Sequence, residues 1–132
     1  MTYEANPNGV PATLSEEEAH AATRTTFRLF EVWELSKDES REVLGGLTTR
    51  DYEALREGNY APTTGDLARR LGLLLGIHRC LRLMFRTAAR RKRWIRAPNQ
   101  ALGGETALAL MSQPEISGMA KLSAYLHAEV YG

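Results

Sequence analysis

The chain has 132 residues, of which 43% are apolar and 25% charged, with a formal net charge of +1; this profile predicts one small globular domain, or two very small ones that share a core. The single cysteine, Cys80, excludes an internal disulfide framework and is typical of a protein of the reducing cytoplasm. No apolar run approaches transmembrane length and the first residues lack the order of a signal peptide, so we expect a cytoplasmic protein that does not bind a membrane.

Helical periodicity, capping residues and breakers predict an all-α fold with no strand of useful length. Residues 1–14, rich in Pro, Asn and Gly, are predicted to be a mobile tail. The predicted helices run from Ser15 to about Trp33, from Ser36 to Leu44, from Arg50 to Glu57, from Leu67 to about Phe85, from about Thr87 to Ile95, from Glu105 to Met111 and from Ile116 to Val130.

Capping signals stand at the start of the first four predicted helices. The candidates are Ser15 with Glu18 and Ser36 with Glu39, each an S-x-x-E capping box, then Thr48 or Thr49, and Thr64 or Asp66.

The segment from Leu35 to Gly58 has the rhythm of short helix, glycine turn and short helix, which is typical of a helix-turn-helix. If its second helix entered a major groove of DNA, the side chains nearest the DNA would be Thr48, Thr49, Arg50 and Arg56. Three carboxylates on or beside that helix oppose binding to phosphates: Asp51, Glu53 and Glu57. DNA binding and a purely packing or dimerising role therefore both stay open.

Opposite charges are strongly segregated along the chain. Residues 1–66 carry 6 basic and 13 acidic residues, residues 67–104 carry 10 basic and none acidic, and residues 105–132 carry 1 basic and 3 acidic. This asymmetry predicts either a basic face for an anionic partner or pairing of the basic segment with the acidic one inside the fold.

The fourth predicted helix carries leucine on nearly every face, so we expect it to be central and buried along much of its length. From its last turns onward arginines recur at three- and four-residue steps: Arg79, Arg82, Arg86, Arg90 and Arg93. Three interpretations of this stripe are open. It is a helix face exposed to solvent, a surface that pairs with the acidic residues of 1–66 or with a protein partner, or a nucleic-acid surface. The last is the least favoured, because no aromatic residues interleave with the arginines.

The stretch RRKRWIRAPNQALGG, residues 90–104, predicts a helix end, a stiff turn and the start of another helix. Pro98 fixes its own φ and biases the preceding residue away from helical geometry. Asn99 tolerates turn conformations, and the pair Gly103-Gly104 allows positive φ. Trp94 and Ile95 are the apolar anchors that would pin the turn to the core.

No catalytic or metal-binding set stands out. His20, His78 and His127 lie on different predicted helices without metal-ligand spacing. Cys80 has nearby arginines that could activate a thiol, but its leucine-rich helix favours an inert buried cysteine. We therefore predict that the chain is not an enzyme and uses no metal or cofactor.

The strings ARRKRWIRAPNQALGGETALALM and GMAKLSAYLHAEVYG resemble the C-terminal toxin-binding domain of the Xre/MbcA/ParS-type antitoxins. In that family a Trp and an aliphatic residue are followed by Pro-Asn, Leu-Gly-Gly, a short helix and a final helix that ends near a glycine. The matching positions are Trp94, Ile95, Pro98, Asn99, Leu102, Gly103, Gly104, Leu108, Gly118, Leu126 and Gly132. With the looser helix-turn-helix match, the resemblance covers about residues 35–132.

The chain departs from the family pattern at two places. Ala107 stands where many relatives have a proline after the glycine pair. Ala54 and Leu55 stand where relatives often place a basic residue and a Trp, which weighs against DNA binding more than against toxin binding.

The resemblance implies that the chain is the antitoxin of a type II toxin–antitoxin pair. Its partner would be a RES-domain toxin that consumes NAD, whose active site the antitoxin would occlude. The family also implies a homodimer that represses its own promoter by binding operator DNA. Residues 15–62 would then be a helix-turn-helix-like region for dimerisation or DNA binding, and residues 63–132 a toxin-binding domain.

The residues expected to contact the toxin lie on the last helix: Tyr125, Leu126, Glu129, Val130, Tyr131 and Gly132. The turn motif expected to aim the last two helices consists of Trp94, Pro98, Asn99, Leu102, Gly103 and Gly104. The alternative function is a free-standing helix-turn-helix DNA-binding transcriptional regulator.

Overall fold

The structure, a computed structural model, describes residues 13–132 and consists almost entirely of helices and turns. The helices are α1 (Glu16–Val32), α2 (Lys37–Val43), α3 (Thr49–Arg56), α4 (Gly65–Met84), α5 (Ala88–Arg96), α6 (Ala107–Met111) and α7 (Ser117–Tyr131), with a 3₁₀ turn at Gln100–Leu102. About 70% of the described residues are helical and none of them forms a strand, so the all-α prediction is confirmed. The predicted tail lies outside the described residues, apart from Thr13 and Leu14.

The helices begin where their capping residues stand. Both predicted capping boxes form, Ser15 with Glu18 and Ser36 with Glu39. At the start of α3 the Thr48 hydroxyl accepts a hydrogen bond from the backbone N–H of Asp51.

The predicted side-chain cap of α4 is wrong. Thr64 occupies the N-cap position but its side chain makes no capping hydrogen bond. The Asp66 carboxylate instead binds the Nε of Arg70, one helical turn further on, at 2.7 Å.

Helix α4 is central, as its leucine pattern predicts, because it packs against α1 on one side and against α7 on another. The buried residues of α4 point in nearly every direction around its axis: Ala68, Arg70, Leu71, Leu73, Leu74, Gly76, Ile77, Cys80 and Leu81. One continuous apolar core runs from α1 through α7 and includes residues from both predicted regions, 15–62 and 63–132. The two regions therefore share a core.

Arg70 is fully buried, and its guanidinium binds groups from three parts of the chain. Besides the Asp66 carboxylate, it donates to the carbonyl oxygen of Val43 at 3.3 Å and to those of Gln113 and Pro114 at 3.2 and 2.7 Å. A planar fork of donors suits such a divergent set of acceptors better than an ammonium would. This side chain therefore ties the end of α2 and the loop before α7 to α4.

Glycines allow two close approaches in this arrangement. At Gly45, where φ is +94°, a Cβ would lie 3.1 Å from the Nε of Arg70. At Gly118 a Cβ would lie 2.5 Å from the carbonyl oxygen of Leu110, so only glycine lets α7 start this close to α6.

We expect the replacement Arg70→Met to lower the free energy of unfolding by about 3 kcal/mol, because it leaves three carbonyl oxygens and a carboxylate without their donor. The measurement is urea unfolding followed by circular dichroism. The matched control is Arg69→Met, since Arg69 is the exposed neighbour and its loss should change the unfolding free energy by no more than about 0.5 kcal/mol. Equal stability of the two variants would contradict the role given to Arg70.

Candidate partner-binding site

Helices α4 and α7 run in the same direction, so their C-terminal ends lie at the same end of the molecule. Arg70, near the start of α4, binds the carbonyls of Gln113 and Pro114 just before α7 begins. Further along, the Nδ1 of His127 lies 3.7 Å from the Sγ of Cys80. The last turn of α7 is therefore level with the last turn of α4.

His127 fills the space between the two helices and supports the next aromatic residue on α7. Its Nδ1 is 2.8 Å from the carbonyl oxygen of Ser123, and a Cβ at Gly76 would lie 3.4 Å from its ring. The rings of His127 and Tyr131 have centroids 5.8 Å apart. The ring of Tyr131 thus packs against the ring of His127, while 61% of the tyrosine stays exposed.

The structure sorts the six residues expected on the last helix into a core set and a surface set. Leu126 is fully buried, so it stabilises the packing of α7 and cannot contact a partner directly. Tyr125 and Val130 are half-buried against the core, whereas Glu129, Tyr131 and Gly132 are exposed.

Leu83, one of the leucines of the helix predicted to be buried along much of its length, is a surface residue. It is 62% exposed and lies in the last turn of α4, which is level with the last turn of α7. Large exposed apolar side chains at one end of a small protein are a feature of binding surfaces. No signal in the sequence separates it from the buried leucines of α4, because its exposure depends on which elements pack against that helix.

The turn motif folds as its residue types predict. Helix α5 ends before Pro98, with Ala97 in an extended conformation, and Gly103 and Gly104 have φ of +72° and +85°. The Asn99 side chain accepts a hydrogen bond from the backbone N–H two residues on, which starts the 3₁₀ turn that the sequence analysis did not predict.

The apolar members of the motif hold this turn against the core. Ile95 and Leu102 are buried, and the half-buried Trp94 lies against Phe85, with ring centroids 6.0 Å apart. Because α5 contacts α6 and α6 contacts α7, the turn lies on the path that leads to the exposed end of α7.

Part of the basic segment pairs with the acidic part of the chain, as one of the sequence readings predicts. Arg96 makes two hydrogen bonds to the Glu39 carboxylate, at 2.8 and 2.9 Å, and Lys92 lies 2.5 Å from the carboxylate of Glu34. The hydrogen bond from Arg96, followed by the backbone N–H of Ser36, lowers the pKa of Glu39 to about 2. These pairs fix α5 against the start of α2.

The arginine stripe itself does not take part in this pairing. Arg79, Arg82, Arg86, Arg90 and Arg93 are all exposed, and none of them forms an ion pair with any residue between 13 and 132.

The residues proposed to contact DNA lie at the surface of α3 and at its start, but the charge there is mixed. Thr48, Thr49, Arg50 and Arg56 are exposed, and the Thr48 hydroxyl is used as a helix cap. The Arg56 guanidinium lies over the ring of Phe27, 5.8 Å from its centroid. Asp51 and Glu57 are exposed on the same helix and beside it, while Glu53 pairs with Lys37 at 2.6 Å. The surface of α3 therefore presents basic and acidic groups side by side.

Cys80 and His78, both on α4, are titratable groups whose pKa burial shifts. Cys80 is buried, as its leucine-rich helix predicts, and burial raises the pKa of its thiol, which disfavours the reactive thiolate. Burial, and then the nearby Arg82 and Arg91, lowers the pKa of His78. Over residues 13–132 no three His, Cys, Asp or Glu side chains are grouped as a metal would require. No helix in that same range is long and apolar enough to span a bilayer.

Comparisons with known proteins bear on the C-terminal half of the fold. Residues 80–132 match the sequence model described as the antitoxin Xre/MbcA/ParS C-terminal toxin-binding domain. A protein of Sinorhizobium fredii, named "Uncharacterized protein y4oB", is 32% identical over 105 residues, which cover 78% of this chain and 79% of the relative. No solved structure matches the chain. The matched segment contains the end of α4, the turn motif and all of α7.

We expect stability to depend on pH through Glu39. Its pKa is lower in the folded chain than in the unfolded one, so the Arg96–Glu39 pair contributes stability above about pH 4.5 that is lost as the pH falls toward 2. The contribution should be about 1 kcal/mol or less, because roughly a third of each side chain is exposed. Urea unfolding at pH 6 and pH 3 should show Arg96→Gln less stable than wild type at pH 6, with a smaller difference at pH 3.

The control for this comparison is Arg93→Gln, which removes the same charge from an arginine that has no ion pair among the described residues. A difference between Arg96→Gln and wild type that is equal at both pH values would show that the pair does not act through Glu39.

Proposed function

We propose that this chain, which belongs to the Xre/MbcA/ParS antitoxin family, neutralises a RES-domain toxin that degrades NAD by covering the active site of that enzyme. The family supplies the toxin-binding domain, and the RES identity of the toxin follows from the resemblance described above. The observation that carries the proposal is the exposed end of α7, where Tyr131 is held at the surface within the matched segment.

Tyr131, at the C-terminal end of α7, is suited to insert its ring into a pocket of the toxin. Tyrosines are enriched among the residues that carry most of the binding energy of protein interfaces. Leu83, in the last turn of α4, adds a second exposed apolar side chain at the same end of the molecule. Leu126 and His127 lie under this surface and hold it in position. We assign the toxin contacts to the exposed residues Leu83, Glu129 and Tyr131. Tyr125, Val130 and Gly132 would lie at the margin of the interface.

The electrostatics of the end of α7 also fit an NAD-binding cleft. The last carbonyl groups of a helix carry a partial negative charge, and the exposed Glu129 adds a full one. A cleft that binds the pyrophosphate of NAD is expected to be cationic. An anionic helix end would therefore be attracted to the place where the pyrophosphate otherwise binds.

The family resemblance supports three further parts of the proposal: the pair is of type II, the antitoxin acts as a homodimer in the cytoplasm, and it represses its own promoter. Under this proposal residues 15–62 supply dimerisation or DNA contacts and residues 63–132 bind the toxin, with the turn motif aiming α6 and α7. A free-standing transcriptional regulator is the alternative, and it would leave a toxin unaffected.

The proposal is tested with the product of the neighbouring gene, which it expects to be a RES-domain protein, by measuring the rate of NAD consumption with and without this chain. An equimolar amount of the chain should stop NAD loss. Undiminished NAD loss in the presence of excess chain would overturn the proposal.

Tyr131→Ala should weaken neutralisation about 30-fold, because losing a central aromatic anchor typically costs about 2 kcal/mol of binding free energy. The measurement is the concentration of chain that halves the rate of NAD loss. Tyr60→Ala is the matched control, since Tyr60 is also exposed but lies between α3 and α4, outside the matched segment. Both variants should keep the helical circular dichroism of the wild type. Equal potency of the two variants would remove Tyr131 from the interface.

A further inference from the structure

The corner between α4 and α5 carries arginines that form no ion pair with the described residues. Of the basic residues in this part of the chain, Lys92 and Arg96 pair with carboxylates, and Arg91 donates to the backbone carbonyls of Phe85 and Arg86, each at 3.1 Å. The contacts of Arg91 fix the corner. We call the three remaining exposed residues Arg86, Arg90 and Arg93 the basic corner, and Arg79 and Arg82 continue it along α4.

Aromatic rings lie among these arginines, and the sequence itself places Phe85 directly before Arg86 and Trp94 directly after Arg93. The guanidinium of Arg90 lies over the ring of Phe85, 5.4 Å from its centroid, and Phe85 in turn lies against Trp94. A shallow cavity of about 210 Å³ opens here, lined by Phe85, Arg90, Arg93, Trp94 and Ala97. The sequence-based ranking of a nucleic-acid surface last therefore loses its premise, because aromatic rings do lie among the arginines.

The acidic residues nearest in space do not neutralise this cavity. A neighbouring cavity that shares Arg93 and Ala97 contains Glu34, but that carboxylate is bound to Lys92. No acidic residue lines the cavity beside Phe85. A group with several negative charges would therefore meet two arginines there with no carboxylate to repel it.

The charge pattern favours DNA over an acidic protein as the partner of this surface. The centres of protein interfaces are depleted in charged residues, whereas the basic corner and its continuation present five guanidinium groups and no carboxylate. A guanidinium group can donate two parallel hydrogen bonds to the oxygens of one phosphate. Duplex DNA presents one negative charge per about 1.7 Å of its axis. By contrast, α3 and its end present exposed Asp51 and Glu57 beside their arginines.

We propose that the basic corner binds the phosphate backbone of duplex DNA and supplies most of the electrostatic attraction of this chain for its operator. The inference rests on the proposed repression of its own promoter, because it names the surface that makes that contact. It does not depend on the toxin. Phosphate contacts fix the position of a protein on DNA without reading sequence, so any reading of bases belongs to another part of the dimer.

The test uses the full chain and a 40-base-pair duplex from the region upstream of its gene, with a shuffled duplex of the same composition for comparison. The triple variant Arg86→Gln, Arg90→Gln, Arg93→Gln should bind both duplexes at least tenfold more weakly near physiological salt. The slope of log affinity against log salt concentration should fall by about 2 to 3, since each phosphate contact contributes about 0.9. Fluorescence anisotropy over a series of salt concentrations measures both quantities.

Two control variants show whether any loss of DNA binding is specific to the basic corner. Arg24→Gln, Arg69→Gln, Lys121→Gln removes the same charge from exposed scattered positions and should keep the wild-type slope. Arg50→Gln, Arg56→Gln removes the arginines of α3 and should change the slope by less than the corner variant does. Equal losses in the scattered control and the corner variant would overturn the inference, and so would a loss confined to the α3 variant.

The outcomes also separate this inference from the proposed function. The corner variant should neutralise the toxin as wild type does, and loss of neutralisation with DNA binding intact would make the corner a protein-binding surface and overturn the inference. If the α3 variant alone loses DNA, the repressor stands and the inference fails. If the wild type binds neither duplex, the proposed repression fails and the inference fails with it, whereas the NAD assay still decides toxin neutralisation.

Discussion

The guanidinium of Arg70 is the interaction on which the arrangement of the helices depends. A charged group buried without partners would cost several kcal/mol, so the chain places four acceptor groups around it. Two of these acceptors precede α7 and one ends α2, so satisfying one side chain fixes the positions of three elements. The glycine at position 45 leaves the space that this requires.

The exposed end of α7 follows from that constraint. With the start of α7 tied to the first third of α4, the two helices run side by side and end together. His127 then packs against Cys80 and against the ring of Tyr131, which holds that ring at the surface. At the C-terminal end of α5, Arg96 binds Glu39 and holds α5 against α2. The proposed toxin-binding surface and the basic corner are therefore both presented by elements whose positions are fixed elsewhere in the fold.

Local signals in the sequence predict the helices well and the sites poorly. Capping boxes, glycine turns and Pro98 act within four or five residues, and so they place the helix ends within about two residues of those observed. The acceptors of Arg70 outside its own helix lie 27, 43 and 44 residues away, and no local pattern indicates them. The exposure of Leu83 and the burial of Leu126 likewise depend on which element covers each position. Phe85 and Trp94 stand among the arginines in the sequence, but the contact of their rings across the corner appears only in the folded chain.

The central claim is that the shared end of α4 and α7 is the toxin-binding surface. Its most direct test is amide hydrogen exchange of this chain alone and bound to the proposed RES-domain toxin. The last turn of a helix exposed to solvent opens easily, so its amides exchange quickly in the free chain. The account predicts that binding slows exchange in residues 125–131 and 81–84 and leaves α1, α2 and α3 unchanged. Slowed exchange confined to α1–α3, with the end of α7 exchanging as fast as in the free chain, would contradict it.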